Sequence, residues 1–142
     1  MKSTKEKAAL KPDPASELRA ELAGKIASLV DKEENRITEI PGLSLHRRTS
    51  PTPPCRTTYH PGVIVVAQGS KQATLGRTGF IYDESRFLLT AVDLPIVSWV
   101  AEATEEVPCL VLSLRLDMSM VRELLGREEI HVAEVPSDSP AI

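Results

Sequence analysis

A chain of 142 residues with 42% apolar and 26% charged side chains is long enough for one hydrophobic core and too short for two. Its formal charge of −3 denies it the positive field that sequence-independent phosphate binding needs, so the chain is not expected to hold DNA by itself. No apolar run reaches the roughly 18 residues of a membrane span and no secretory leader pattern is present, so the expected address is cytoplasmic, with no membrane partner.

Residues 1–12 are a polar lead, with Lys2, Lys5, Lys7 and Lys11 against Glu6, expected to be flexible. Asp13-Pro14 reads as a helix cap followed by proline at the first helical position. Leu18, Leu22, Ile26, Leu29 and Val30 then share one face and Glu21 pairs with Lys25, which predicts a helix over about 14–34 within the segment 13–35. Its stripe is read as packing on the domain's own barrel; the alternative is a partner helix, in a homodimer or in a missing domain.

From Arg36 the apolar period changes from helical to two, and a barrel is expected over 36–135. Leu43, Leu45 and Arg47 alternate with Ser44, His46 and Arg48 after a Pro41-Gly42 turn. Ser50 to Pro54 is too proline-rich to donate a ladder and reads as a loop or edge crossing. Val63 to Ala67 has the continuous apolar, β-branched character of a strand covered on both faces. Short strands follow at about 71–75, 80–82, 87–92 and 96–101, with corners at Gly69, Gly76 and Asp93-Leu94-Pro95. The cleanest alternation is Cys109 to Leu116: Leu110, Leu112, Leu114 and Leu116 face one way and must be buried, while Cys109, Val111, Ser113 and Arg115 face the other. Asp117 caps a helix over 117–126, and a last strand around 130–135 precedes a loose tail, 136–142. About eight short strands without βαβ alternation argue for a mainly β sandwich or barrel, with a helix before it and a short one near its end.

The chain carries no G-x-S-x-G, P-loop, G-x-G-x-x-G or H-E-x-x-H motif, and its adjacent acidic pairs are read as solvated charge. Cys55 and Cys109 lack metal-ligand spacing and are expected to stay free thiols. His46, His60 and His131 contain no H-x-H pair, so neither a metal nor another cofactor is expected, and the chain is read as non-enzymatic.

The ordered positions Tyr59, Pro61, Gln68-Gly69, Lys71, Leu75-Gly76, Tyr82-Asp83, Val92-Asp93-Leu94-Pro95, Pro108, Leu114 and Asp117 resemble the amino-terminal domain of AraC-type bacterial transcription regulators, above all in the VAQG-x-K and VDLP segments. The similarity runs from Leu43 to Gly126. The resemblance implies a cupin-like barrel or jelly roll that binds a small effector and passes its occupancy to a carboxy-terminal helix-turn-helix pair. That pair is absent from this chain, which is expected to be a domain cut from a longer protein that meets DNA only through the missing part.

Inward polar groups of such a barrel are the candidate effector contacts, because a buried polar group needs a partner and a ligand can be one. Gln68 can bond an effector or tie down the Gly69 turn, and Tyr59 and Tyr82 can offer phenols at a pocket mouth or serve as core aromatics. Trp99 is an apolar wall or ordinary core. Arg47 and Arg115 can grip an anionic or carbonyl group, and Arg115 shares its face with Ser113 and Cys109; an ion pair is the competing role for Arg115. Cys109 is either a small buried apolar residue or a thiol open to electrophiles. Lys71 and Asp93 are read as structural residues beside turns. Two rival functions are a stand-alone cupin-like metalloenzyme using His46, His60 and an acid, and a dimerisation module acting through the first helix.

Overall fold

Short strands broken by glycine and proline corners cannot each bury two faces alone, and here they stack as two sheets. A computed structural model describes residues 13–31 and 34–127. The lead 1–12, the expected strand at 130–135 and the tail lie outside the described residues.

The first helix, α1, is Pro14–Leu29. The Asp13 carboxylate accepts the Ala15 N–H at 3.3 Å, and Lys25 lies 3.3 Å from Glu21. The helix ends earlier than the expected residue 34, at Val30, whose N–H reaches the Ile26 carbonyl. Two arginines then occupy the carbonyls that follow: Arg36 donates to Leu29 at 2.7 Å and Arg47 to Asp31 at 2.9 Å. Cations at a helix carboxy terminus satisfy orphan carbonyls and oppose the negative end of the helix dipole.

Among the described residues nine strands follow: β1 (Asn35–Ile37), β2 (Leu43–Arg48), β3 (Cys55–Tyr59), β4 (Gly62–Gln68), β5 (Ser70–Leu75), β6 (Thr78–Asp83), β7 (Leu88–Thr90), β8 (Leu94–Glu102) and β9 (Cys109–Arg115), then a short helix α2 (Met118–Leu125). All pairings are antiparallel, in sheets ordered β1-β2-β9-β4-β7 and β3-β8-β5-β6. The mainly β architecture with a helix on either side of it agrees with the sequence reading.

The five-stranded sheet has apolar layers on both of its faces because alternate residues point to opposite sides. Leu45, Ala67 and Leu110 meet Ala23, Ile26 and Val30 of the α1 segment. Val66, Cys109 and Val111 turn the other way, into a core completed by Ala73, Tyr82, Ile96 and Val100 of the second sheet. The α1 stripe therefore packs on its own domain, with Ile26 1% exposed, although Leu18 stays 67% exposed. Full burial of one Ile side chain contributes about 1.5–3 kcal/mol.

One strand is added and one expectation changes. Cys55–Tyr59, to which the sequence reading assigns no element, is a strand directly after the proline-rich segment; it is an exposed edge whose register runs from Cys55↔Ser98 to Tyr59↔Leu94. Its residues show no apolar alternation because all but Tyr59 are exposed. Of the four leucines expected to be buried, only Leu110 is, at 2% exposure; Leu112, which packs against the same cluster under α1, is half-buried, as are Leu114 and Leu116.

Gly69 carries the chain from one sheet to the other between β4 and β5. Its φ of +88° is costly for any residue with a Cβ, and a Cβ there would lie 2.8 Å from the Glu102 carbonyl oxygen and 2.9 Å from the Cys109 Cα. The crossing is therefore pressed against the start of β9, the strand that also forms one wall of the interior.

Candidate functional site

Between the sheets lies a cavity of about 420 Å³. That falls within the roughly 300–1,000 Å³ of small-molecule pockets. From β9, Cys109, Val111, Ser113 and Arg115 line it, joined on β2 by His46 and Arg48. The opposite wall brings Thr57 and Tyr59 from β3, Lys71 from β5, and Ser98 and Val100 from β8. Ile64, Val63 and Leu114 add apolar surface. The register explains the placement: His46 pairs with Val111 and Arg48 with Cys109, so side chains on the same face of neighbouring strands share the interior.

The polar groups of this lining are fixed by identifiable partners. Asn35 Oδ1 accepts from Arg48 at 3.0 Å and lies 2.8 Å from His46 Nδ1, so that nitrogen carries the proton. His46 Nε2 is then the acceptor, and the Ser44 hydroxyl donates to it at 3.1 Å. Burial, reinforced by the charges of Lys71 and Arg48, lowers the His46 pKa to about 4, so the ring is neutral at pH 7. Cys109 is 0% exposed, and burial pushes its thiol up to about 11 against the opposing pull of Lys71 and Arg48. The Tyr59 and Tyr82 hydroxyls are 2.5 Å apart; burial first and Tyr59 second raise the Tyr82 pKa far above the ordinary phenol value. Lys71 Nζ sits 5.8 Å above the Tyr82 ring centroid, within cation–π range.

Residues 39–141 match the family described as the AraC-type transcriptional regulator N-terminus. The chain belongs to that family. No curated protein and no solved structure matches it. The AraC-type assignment makes the chain a regulatory amino-terminal domain of transcription regulators.

In this AraC-type domain the residues singled out from the sequence separate into two sets. Tyr59, Cys109, Ser113 and Arg115 line the cavity, and Tyr82 stands behind Tyr59, 1% exposed and joined to it through the hydroxyls. Arg47, Gln68 and Trp99 lie outside the lining. Arg47 points to the α1 side, where it bonds Asp31. The Gln68 amide donates to the Pro108 carbonyl at 2.8 Å and holds the start of β9. Trp99 alternates with Ser98 and Val100, which face inward, and so stands on the outer face of the second sheet.

Sequence reasoning passes over Arg48 and Lys71 as effector contacts and names His46 only as a metal ligand of the rival enzyme reading. For β2 the signal was present, since Arg48 and His46 alternate with Leu45; once Leu45 packs under α1, they must face the interior. Lys71, expected to serve the neighbouring turn, instead reaches the cavity. Asp93 does pair at its corner, 3.0 Å from His60 Nδ1. Among the described residues no three His, Cys, Asp or Glu side chains come together as a metal ion would require, and both nitrogens of His46 already have protein partners. No described helix is long and apolar enough to cross a membrane.

Proposed function

We propose that this domain is the sensing part of an AraC-type regulator, a cupin-like barrel that binds a small effector between its sheets. It acts without catalysis in the bacterial cytoplasm and passes occupancy to a DNA-binding domain outside this chain. The observation that carries the reading is the cavity itself: metabolite-sized, and walled by polar side chains interleaved with Val100, Val111 and Ile64. A route for the signal is built into the chain. Strand β9 forms one wall, carries Leu110 beneath α1, and leads through Leu116 and Asp117 into α2. A ligand that shifts β9 thereby biases both helices.

The test is a thermal-shift screen of a metabolite library against the native chain and against Ser113→Trp, which fills the cavity from a half-buried position. Effectors raise the melting temperature of the native domain and leave the filled variant unchanged. Equal stabilisation of both proteins by every active compound would reject the cavity as the site.

Homodimerisation through α2 is a second reading, favoured by the exposure of Met120, Leu124 and Leu125 on this one short helix. Sedimentation of Leu124→Glu against the native chain checks it: a native dimer that becomes monomeric supports it, and an unchanged mass rejects it.

A further inference from the structure

The cavity has an unbalanced charge. Arg48, Lys71 and Arg115 line it, and among the described residues no Asp or Glu does. Asp93 lies 3.0 Å from the lining residue His60. Among the described residues Arg48 bonds only neutral groups, namely the carbonyls of Glu34 and Arg47 and the Asn35 amide oxygen, and none of these contacts cancels its charge. Lys71 and Arg115 form no ion pair with any described residue, and Lys71 has the Tyr82 ring for company instead. Two groups in or behind this lining, Cys109 and Tyr82, are held protonated by burial.

Lys71 and Arg48 are half-buried, whereas Arg115 is exposed; half-buried cations without counter-charges are costly, and the cost is removed by an anion that enters with its own apolar body. We propose that the effector is a small organic carboxylate, its charged group held by Lys71 and Arg48 and its apolar part lying against Val100, Val111 and Ile64. Lys71 supplies a mobile point charge, while Arg48, pinned by its three neutral acceptors, supplies a fixed one. The Tyr59 hydroxyl adds a polar contact without adding negative charge. This assignment rests on the reading of the cavity as the effector site.

Calorimetric titration of the chain with butyrate, hexanoate and phenylacetate, each beside its primary amide, and with glucose, tests it. At least one carboxylate is expected to bind, with its amide at least about tenfold weaker and with affinity falling as salt is added. Lys71→Met is expected to lower carboxylate affinity at least about tenfold and Lys71→Arg to retain most of it. Thr57→Glu, which places a carboxylate on the exposed cavity-lining edge strand where folding is little affected, is expected to weaken the acid and spare the amide. An amide or glucose that binds as tightly as the acids and is lost in Ser113→Trp overturns the carboxylate assignment and leaves the sensing reading standing. Binding by neither series also overturns the assignment, and the sensing reading falls with it only if the library screen finds no cavity-dependent compound.

Discussion

Neutral His46 gives the domain a stability that depends on acidity in a defined window. In the folded protein its pKa lies at about 4, against 6.5 for the free side chain, chiefly because burial disfavours the imidazolium and then because Lys71 and Arg48 repel it. The unfolded chain therefore takes up a proton as pH falls through 6.5 while the folded chain does not. Stability is full above that pH, declines between 6.5 and about 4, and levels off once the folded ring is protonated as well. At about 1.36 kcal/mol per pH unit the whole interval is worth about 3 kcal/mol. Partial exposure of the ring reduces the expected loss to about 1–3 kcal/mol. Urea unfolding at a series of pH values from 7 to 4, at constant ionic strength, measures the loss, and His46→Gln isolates the contribution of this ring. The variant should lose less stability than the native chain over that window. Parallel curves for the two proteins would refute the claim that the site holds His46 neutral.

Gly69→Ala should cost about 2–4 kcal/mol in the same assay, from the positive φ and from a Cβ that must displace the backbone of Glu102 and Cys109; a loss below about 0.5 kcal/mol, the size of an ordinary surface substitution, would show that the crossing is not tightly packed. Thiol labelling of the native protein should modify exposed Cys55 promptly and Cys109 only on unfolding, since Cys109 is fully buried and its thiol is raised to about 11. Two thiols reacting at similar rates in the folded state would contradict that burial.

The strand β9 was legible in the sequence because strict alternation leaves only two assignments of its faces, and Cys109, Val111, Ser113 and Arg115 do stand together on the cavity wall. What could not be read was which face of β2 and β8 meets that wall. Leu45 and Arg47 look inward-facing by composition, yet a helix covering the outer face of a sheet makes that face apolar too. Arg47 and Trp99 were singled out on that ambiguity, whereas His46, Arg48, Ser98 and Val100 hold the interior positions. The edge strand Cys55–Tyr59 escaped because backbone pairing with β8, and not apolar patterning, defines it. Lys71 was hidden for a different reason: its position beside a turn describes its backbone, while its long side chain places the charge elsewhere.

The claim that the space between the sheets is the effector site is tested most directly by methyl NMR during titration with the most stabilising compound from the library screen. Methyl resonances of Val100, Val111 and Ile64 on the cavity wall should shift in proportion to occupancy, with smaller movements relayed to Leu110 beneath α1. Shifts confined to α2 or to the outer face around Trp99, with the three cavity-wall residues unmoved, would contradict the account.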